Sequence, residues 1–189
     1  MTDQQTLLKL LSARTASNWV NKLAKELETE GFVFTDLLNL TLHPDGKIAF
    51  RAVWLLDTLV TGNLSRYAPH LEMLVQYGVK ATHHSCHRQY ARIYVFLTSG
   101  KAPQDVKMMI AATDMEPVVE RCFDWLIDKK AKVAVKAFAS ETLYNLHERY
   151  DWIAEELQSQ LHYLMQNGSP AIQAKGRRLL KALQSNRMD

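Results

Sequence analysis

An all-α fold, an α-α superhelix of about four stacked helical hairpins with further helices at its N-terminus, is what this chain of 189 residues predicts. Three observations carry that expectation. Apolar residues return at steps of three and four almost from end to end, which is the period of one helix face. Breakers are scarce, 7 Gly and 5 Pro, and they fall where helices would stop rather than between short strands. The second helix of each inferred hairpin also repeats a pattern of its own, the mark of a repeat architecture. No segment holds the period-two alternation of a half-buried strand.

In chain order, a short helix is expected over Gln4–Ser12. Trp19, Val20, Leu23, Ala24 and Leu27 mark the face of the next, with Thr15 or Ser17 as its cap and Gly31 as its stop. These helices, within residues 1–31, would cap a stack of hairpins running from 32 to 184, all in one domain. The first hairpin joins Phe32–Leu42 to a helix carrying Ile48, Ala52, Leu55, Leu56 and Leu59. The tight turn His43-Pro44-Asp45-Gly46 lies between them, and Gly62-Asn63 follows. The second starts at Ser65, shows Tyr67, Ala68, Leu71, Leu74 and Val75, and stops at Gly78. Its partner carries Cys86, Tyr90, Ile93, Tyr94 and Leu97 and ends at Ser99-Gly100. An extra helix is expected within Lys101–Thr113, with Pro103 near its start. The third hairpin has Val119, Cys122, Phe123 and Leu126, then Val133, Ala137, Leu143 and Leu146. The fourth has Ile153, Leu157, Leu161 and Leu164, then Ile172, Gly176, Leu179, Leu180 and Leu183. Ser169 and Pro170 suit the N-cap and first positions of its second helix.

Composition agrees with a folded chain. Hydrophobic residues make up 47% and charged residues 23%, which argues against disorder. The net charge of +3 and a pI near 8.8 lend only weak support to an anionic partner. Cys86 and Cys122 form no disulfide or metal framework. Met1 to Lys9 lacks an apolar signal core, and no apolar run is long enough to span a bilayer. The expected setting is the cytoplasm, with both thiols reduced and no membrane partner.

The repeat lies in the second helices. Arg51-Ala52 is followed by Leu55, Leu56 and Leu59, and Lys175-Gly176 by Leu179, Leu180 and Leu183, at the same offsets. Arg88 precedes Ile93 and Phe96 in the same way, and Lys136-Ala137 opens a helix of this kind. Six residues before each base stand Asp45, Thr82, Lys130 and Ser169. With Asp45 and Arg51, the chain resembles the HEAT-repeat family, in which an acid near the turn and a base on the second helix recur six apart. Val133-Ala134-Val135-Lys136-Ala137-Phe138-Ala139 and Gly176-Arg177-Arg178-Leu179-Leu180 extend the resemblance to small bacterial HEAT-like proteins. It covers about Phe32 to Leu183. It implies HEAT-like hairpins joined by a ladder of charge-assisted hydrogen bonds between neighbouring repeats. The small residues Ala49, Ala52, Ala134, Ala137, Ala139, Ala174 and Gly176 suit second helices packed closely as an inner layer.

Several residues are candidates for chemistry. His83, His84, Cys86 and His87 are metal-ligand types, but no second ligand pair stands at a suitable spacing, and a polar turn with Ser85 as helix cap is the better reading. Asp57 and Glu141 lie in apolar helical runs, where a buried carboxylate serves acid–base work or pairs with a base of the next repeat, Arg88 or Lys136. Arg51, Arg88, Lys136 and Lys175 recur once per repeat. They would form either the inter-repeat ladder or a positive stripe on a concave face. Lys175, Arg177, Arg178, Lys181 and Arg187 against Asp189 make a basic end, read as a solvated cap of the stack. Trp19, Trp54, Trp125 and Trp152 belong mostly to the core, with an exposed one free to anchor a partner.

No phosphate loop, nucleophile elbow, HExxH or paired CxxC is present. The chain therefore reads as a binding scaffold rather than an enzyme, without cofactor or metal. A protein or acidic peptide would lie on its concave face, and Arg51, Trp54, Asp57, Arg88, Lys136, Glu141 and Lys175 are the candidate binding residues. The rival reading is nucleic-acid binding or DNA repair, since HEAT-like alkylpurine DNA glycosylases share the architecture and use a basic groove with a carboxylate and aromatics. A homodimer formed through an uncovered edge helix is the third.

Overall fold

The computed structural model describes residues 2–13 and 18–185. Its helices are α1 (Gln4–Ser12), α2 (Trp19–Glu30), α3 (Phe34–Thr41), α4 (Gly46–Gly62), α5 (Leu64–Tyr67), α6 (Leu71–Lys80), α7 (His84–Thr98), α8 (Gln104–Ala112), α9 (Glu116–Ile127), α10 (Val133–Leu146), α11 (Ile153–Gln166) and α12 (Pro170–Ser185). A single 3-10 turn, Ala68–His70, separates α5 from α6. The only β pairing among the described residues is an isolated bridge between Thr2 and Phe32. The chain is an all-α solenoid.

Two layers run along it. The outer layer stacks α1 on α3, α3 on α6, α6 on α9 and α9 on α11. The inner layer stacks α2 on α4, α4 on α7, α7 on α10 and α10 on α12. Helices α1 and α2 thus continue both layers beyond the four hairpins. Apolar stripes on the helices meet between the layers, and the apolar core is continuous from Leu7 to Leu183. Burial of this strip, neighbour on neighbour, is what holds a repeat stack together.

Local signals set the ends. The Asp3 carboxylate accepts from the Thr6 N–H at 2.9 Å, Asp45 from the Lys47 N–H at 2.8 Å, and Asn63 from the Arg66 N–H at 3.2 Å. Each pairs a helix N–H that has no partner inside its own helix. Gly31 closes α2 with φ +79°, a conformation side chains disfavour. The caps expected at Thr15 or Ser17 lie outside the described residues.

Three expectations change. The helix expected to run on from Ser65 is interrupted, because Pro69 lies within the turn between α5 and α6 and supplies no N–H for a helical hydrogen bond. Gly78 does not stop α6, which continues to Lys80. A Cβ there would strike the Tyr94 hydroxyl and the Tyr90 ring, so this glycine lets α6 approach the two tyrosines of α7. Ser85 is not the cap of α7: the helix begins two residues earlier than that cap would place it, at His84, with His83 at the N-cap.

Candidate functional site

The inner layer carries the candidate residues, and its helices are laced by polar contacts. Arg92 on α7 donates from Nη1 to both oxygens of Asp57 on α4, each at 2.7 Å, and to the Thr61 hydroxyl at 3.3 Å. Asn145 on α10 donates to Thr98 on α7 at 3.2 Å. Lys175 on α12 donates to Glu141 on α10 at 2.5 Å, and Arg178 joins the same carboxylate oxygen. The acids do find a base in the next repeat. Asp57, however, takes Arg92 rather than Arg88 or Lys136, and Glu141 takes Lys175 with Arg178. The ladder runs between positions 35 and 34 residues apart, about one repeat length.

Neither Asp45 nor Arg51 joins that ladder. Asp45 is spent on capping α4. Arg51 reaches the C-terminus of α1 and donates to the carbonyls of Leu11 at 2.7 Å and Ala13 at 3.2 Å. The same device recurs. Lys136 donates to the Leu126 carbonyl near the end of α9 at 2.6 Å, Arg121 to Val79 near the end of α6, and Arg149 to Ile110 and Thr113 at the end of α8 at 2.5 and 2.7 Å. The last carbonyls of a helix lack intrahelical partners and carry the negative end of its dipole, so a cation there is favoured. Burial lowers the Lys136 ammonium below its ordinary value of 10.5, against the opposing pull of Asp128. A continuous positive stripe of Arg51, Arg88, Lys136 and Lys175 is therefore not formed. Three of the four are engaged, and Arg88 is the exposed member without a hydrogen-bond partner among the described residues.

Arg88 opens onto a cavity of about 270 Å³ between α4 and α7, lined also by Phe50, Trp54, Asp57, Gln89 and Arg92. Trp54 is 37% exposed, held edge-on by Trp19 at 5.7 Å between ring centroids and flanked by Phe50 at 5.9 Å. The Arg92 guanidinium lies over the Phe96 ring at 5.0 Å. Asp57 is only 5% exposed. Burial pushes its carboxyl above the ordinary 3.8, outweighing the hydrogen bond and charge of Arg92. With both oxygens engaged, it is a floor for the cavity rather than a free base. Gln89 is also 5% exposed, and its Oε1 has no hydrogen-bond partner among the described residues. Such a buried, unpaired acceptor costs about 1–3 kcal/mol.

The sequence pointed to Trp54, Asp57 and Arg88, and the structure brings those three together. It missed Arg92, Gln89 and Phe50. Arg92 was within reach, since it lies one turn beyond Arg88 and therefore on the same helix face. Gln89 was not, because nothing in a lone glutamine tells a buried amide from a solvated one. Arg51, Lys136, Glu141 and Lys175 lie outside this cavity.

The histidines do not converge on one point, although the His84 and His87 rings lie 5.1 Å apart. His83 Nε2 meets the His43 carbonyl at 3.2 Å, His87 Nε2 meets that of Ala81 at 3.1 Å, and His84 faces Asp128 at 3.8 Å. Among the described residues, no three His, Cys, Asp or Glu side chains gather as a metal would require. Burial raises the thiols, Cys86 to about 11 and Cys122 further. Both are free and buried, so neither is a ready nucleophile. Trp125 is core, at 2% exposure, whereas Trp152 is partly exposed and stacked on Phe123 at 5.4 Å. At the basic end, Lys175 and Arg178 are held by Glu141, Arg177 and Lys181 are exposed, and Arg187 and Asp189 lie outside the described residues.

Layered helices laced repeat to repeat, with an aromatic and arginine cavity on the inner layer, define a helical-repeat solenoid. The family model described as HEAT repeat domain matches residues 7–183, and the chain belongs to the HEAT-repeat family. Among solved structures it is similar to a designed armadillo repeat protein. That likeness has a TM-score of 0.56 at 17% identity and covers 95% of this chain and 82% of that one. It concerns the fold. No curated protein matches the chain by sequence. Among the described residues, no helix is long and apolar enough to cross a membrane.

Proposed function

We propose that the protein is a non-catalytic binding scaffold that takes a protein or acidic peptide partner on the open face of its inner layer. The observation that carries this reading is the cavity between α4 and α7, where the partly exposed Trp54 and its neighbour Phe50 adjoin the unpaired guanidinium of Arg88. Tryptophan and arginine are the residue types that dominate binding energy at protein interfaces. An apolar anchor would bury against Trp54, and Arg88 would select an acidic group beside it. Lys175, Arg178 and Glu141, already paired, serve the stack, as do Arg51 and Lys136. Two free thiols suit a reducing compartment, and we place the protein in the cytoplasm.

The nucleic-acid reading has less behind it. Three of its four expected phosphate contacts are committed to carbonyls or to Glu141, and the carboxylate a glycosylase would need is covered and paired.

A photo-crosslinking residue in place of Phe50 tests the scaffold in cell lysate. The expected result is a discrete cross-linked protein, lost on adding Trp54→Ala or Arg88→Glu and kept on adding Arg177→Glu. Cross-links unchanged by Trp54→Ala and Arg88→Glu would overturn it. In parallel, labelled single-stranded DNA and RNA at low salt should show no change in anisotropy.

A further inference from the structure

The cavity's chemistry narrows the partner to one kind of chain end. Its charged groups are Arg88, Arg92 and Asp57, and the last two neutralise each other at 2.7 Å. One uncompensated positive charge is left, which matches a single anion rather than a run of phosphates. The volume, about 270 Å³, suits one amino-acid residue and falls below the size of ordinary small-molecule sites. The walls divide into an apolar part, Phe50 and Trp54, and a polar part, Arg88 and Gln89, both on α7. Gln89 is the independent clue. It is more than nine-tenths buried, lines this cavity, and its Oε1 is unpaired among the described residues. Its Oε1 is closed off as it stands; rotation about the soft terminal torsion exchanges the two ends of the amide, and binding requires that flip to present the acceptor to the cavity.

A ligand that satisfies all three features within one residue must carry an anion, an N–H donor and an apolar group close together. An internal aspartate or glutamate does this poorly. Its carboxylate stands away from the backbone, its apolar part is only methylene, and in a helical partner its N–H is already used. A C-terminal residue carries the carboxylate, the amide N–H and the side chain on one Cα. A guanidinium and a carboxylate also match as paired hydrogen-bonding groups.

We propose that this cavity is a receptor for the free C-terminus of a partner polypeptide. The α-carboxylate binds Arg88, the last amide N–H binds Gln89 Oε1, and an apolar side chain rests against Trp54 and Phe50. The inference rests on the scaffold reading and specifies which part of the partner is held.

The test is a fluorescence-anisotropy titration of the full chain with labelled Gly-Ser-Gly-Ser-Gly-Leu, as the free acid and as the C-terminal amide. The free acid should bind at least tenfold more tightly. Arg88→Gln should erase that preference, and Gln89→Leu should weaken the acid severalfold while thermal stability is kept or raised, because the substitution removes a buried unpaired acceptor. Equal binding of acid and amide, or a preference that survives Arg88→Gln, would sink the proposal. If acid and amide bind alike and both are lost in Trp54→Ala, an internal segment docks and the scaffold reading stands without the terminus. If neither peptide binds, the terminus proposal fails, and the cross-link at position 50 then decides the scaffold reading separately.

Discussion

Two glycines that look alike in the sequence behave differently once packed. Gly78 faces the Tyr94 hydroxyl and the Tyr90 ring, and both tyrosines are fully buried with no room to retreat. Gly78→Ala should destabilise the fold by roughly 2 kcal/mol, because overpacking a rigid core outweighs alanine's better helix propensity. Gly176 meets the Met165 thioether instead, a flexible side chain that can shift aside. Gly176→Ala should therefore stay within about 1 kcal/mol of the parent. Urea unfolding of both variants checks the contrast. Glycine marks a helix stop and a close approach with the same letter, which is why Gly78 read as a terminus. His87 is a second residue that sequence could not place. Burial lowers its imidazole below 6.5, although the Ala81 carbonyl pulls the other way, so the folded state holds it neutral. Its contribution to stability is constant above that ordinary value. It falls as pH drops below 6.5 toward the folded value, where the unfolded chain takes up a proton that the native chain refuses. Thermal unfolding between pH 5 and 8 should show this slope, and His87→Gln should flatten it.

At the scale of helices, the pattern of three- and four-residue steps was enough to place almost every element. Such a stripe is written directly by burial. Joints between helices were less legible, because a side chain's partner depends on how neighbouring helices are offset. Arg51 met the end of α1 instead of an acid, and Asp57 met Arg92 instead of Arg88. The Asp57 and Arg92 joint should respond unequally to the loss of either member. The Asp57 side chain is 7% exposed and that of Arg92 34%. Arg92→Ala strands a buried carboxylate and should cost about 3 kcal/mol. Asp57→Ala leaves a guanidinium that can turn to water and should cost clearly less. Chemical denaturation of the two single variants and the double variant measures the difference and the coupling. Equal losses would mean that Arg92 is as confined as its partner. The cavity between α4 and α7 was half visible in the same sense: Trp54, Asp57 and Arg88 were chosen from the sequence, whereas the buried amide of Gln89 appears only when α7 is packed.

Across the whole molecule, the polar joints differ in kind from one place to another. Arg51, Arg121, Lys136 and Arg149 end on backbone carbonyls, which acid cannot discharge. On the inner layer, α4 is tied to α7 and α10 to α12 through the carboxylates of Asp57 and Glu141. The inner layer is thus fastened by carboxylates as well as by apolar packing. Once those carboxylates are neutralised, Arg88, Arg92, Lys175 and Arg178 are left as like charges along one side, and their repulsion lengthens that side alone. That layer should lengthen without melting: Asp57→Asn with Glu141→Gln should give a larger maximum dimension by small-angle X-ray scattering at neutral pH, with helicity unchanged by circular dichroism. Identical scattering from parent and variant would mean that apolar packing alone sets the length of that layer. A longer inner layer would also part the walls of the cavity between α4 and α7, so that a joint as distant as Glu141 would bear on what the cavity can hold.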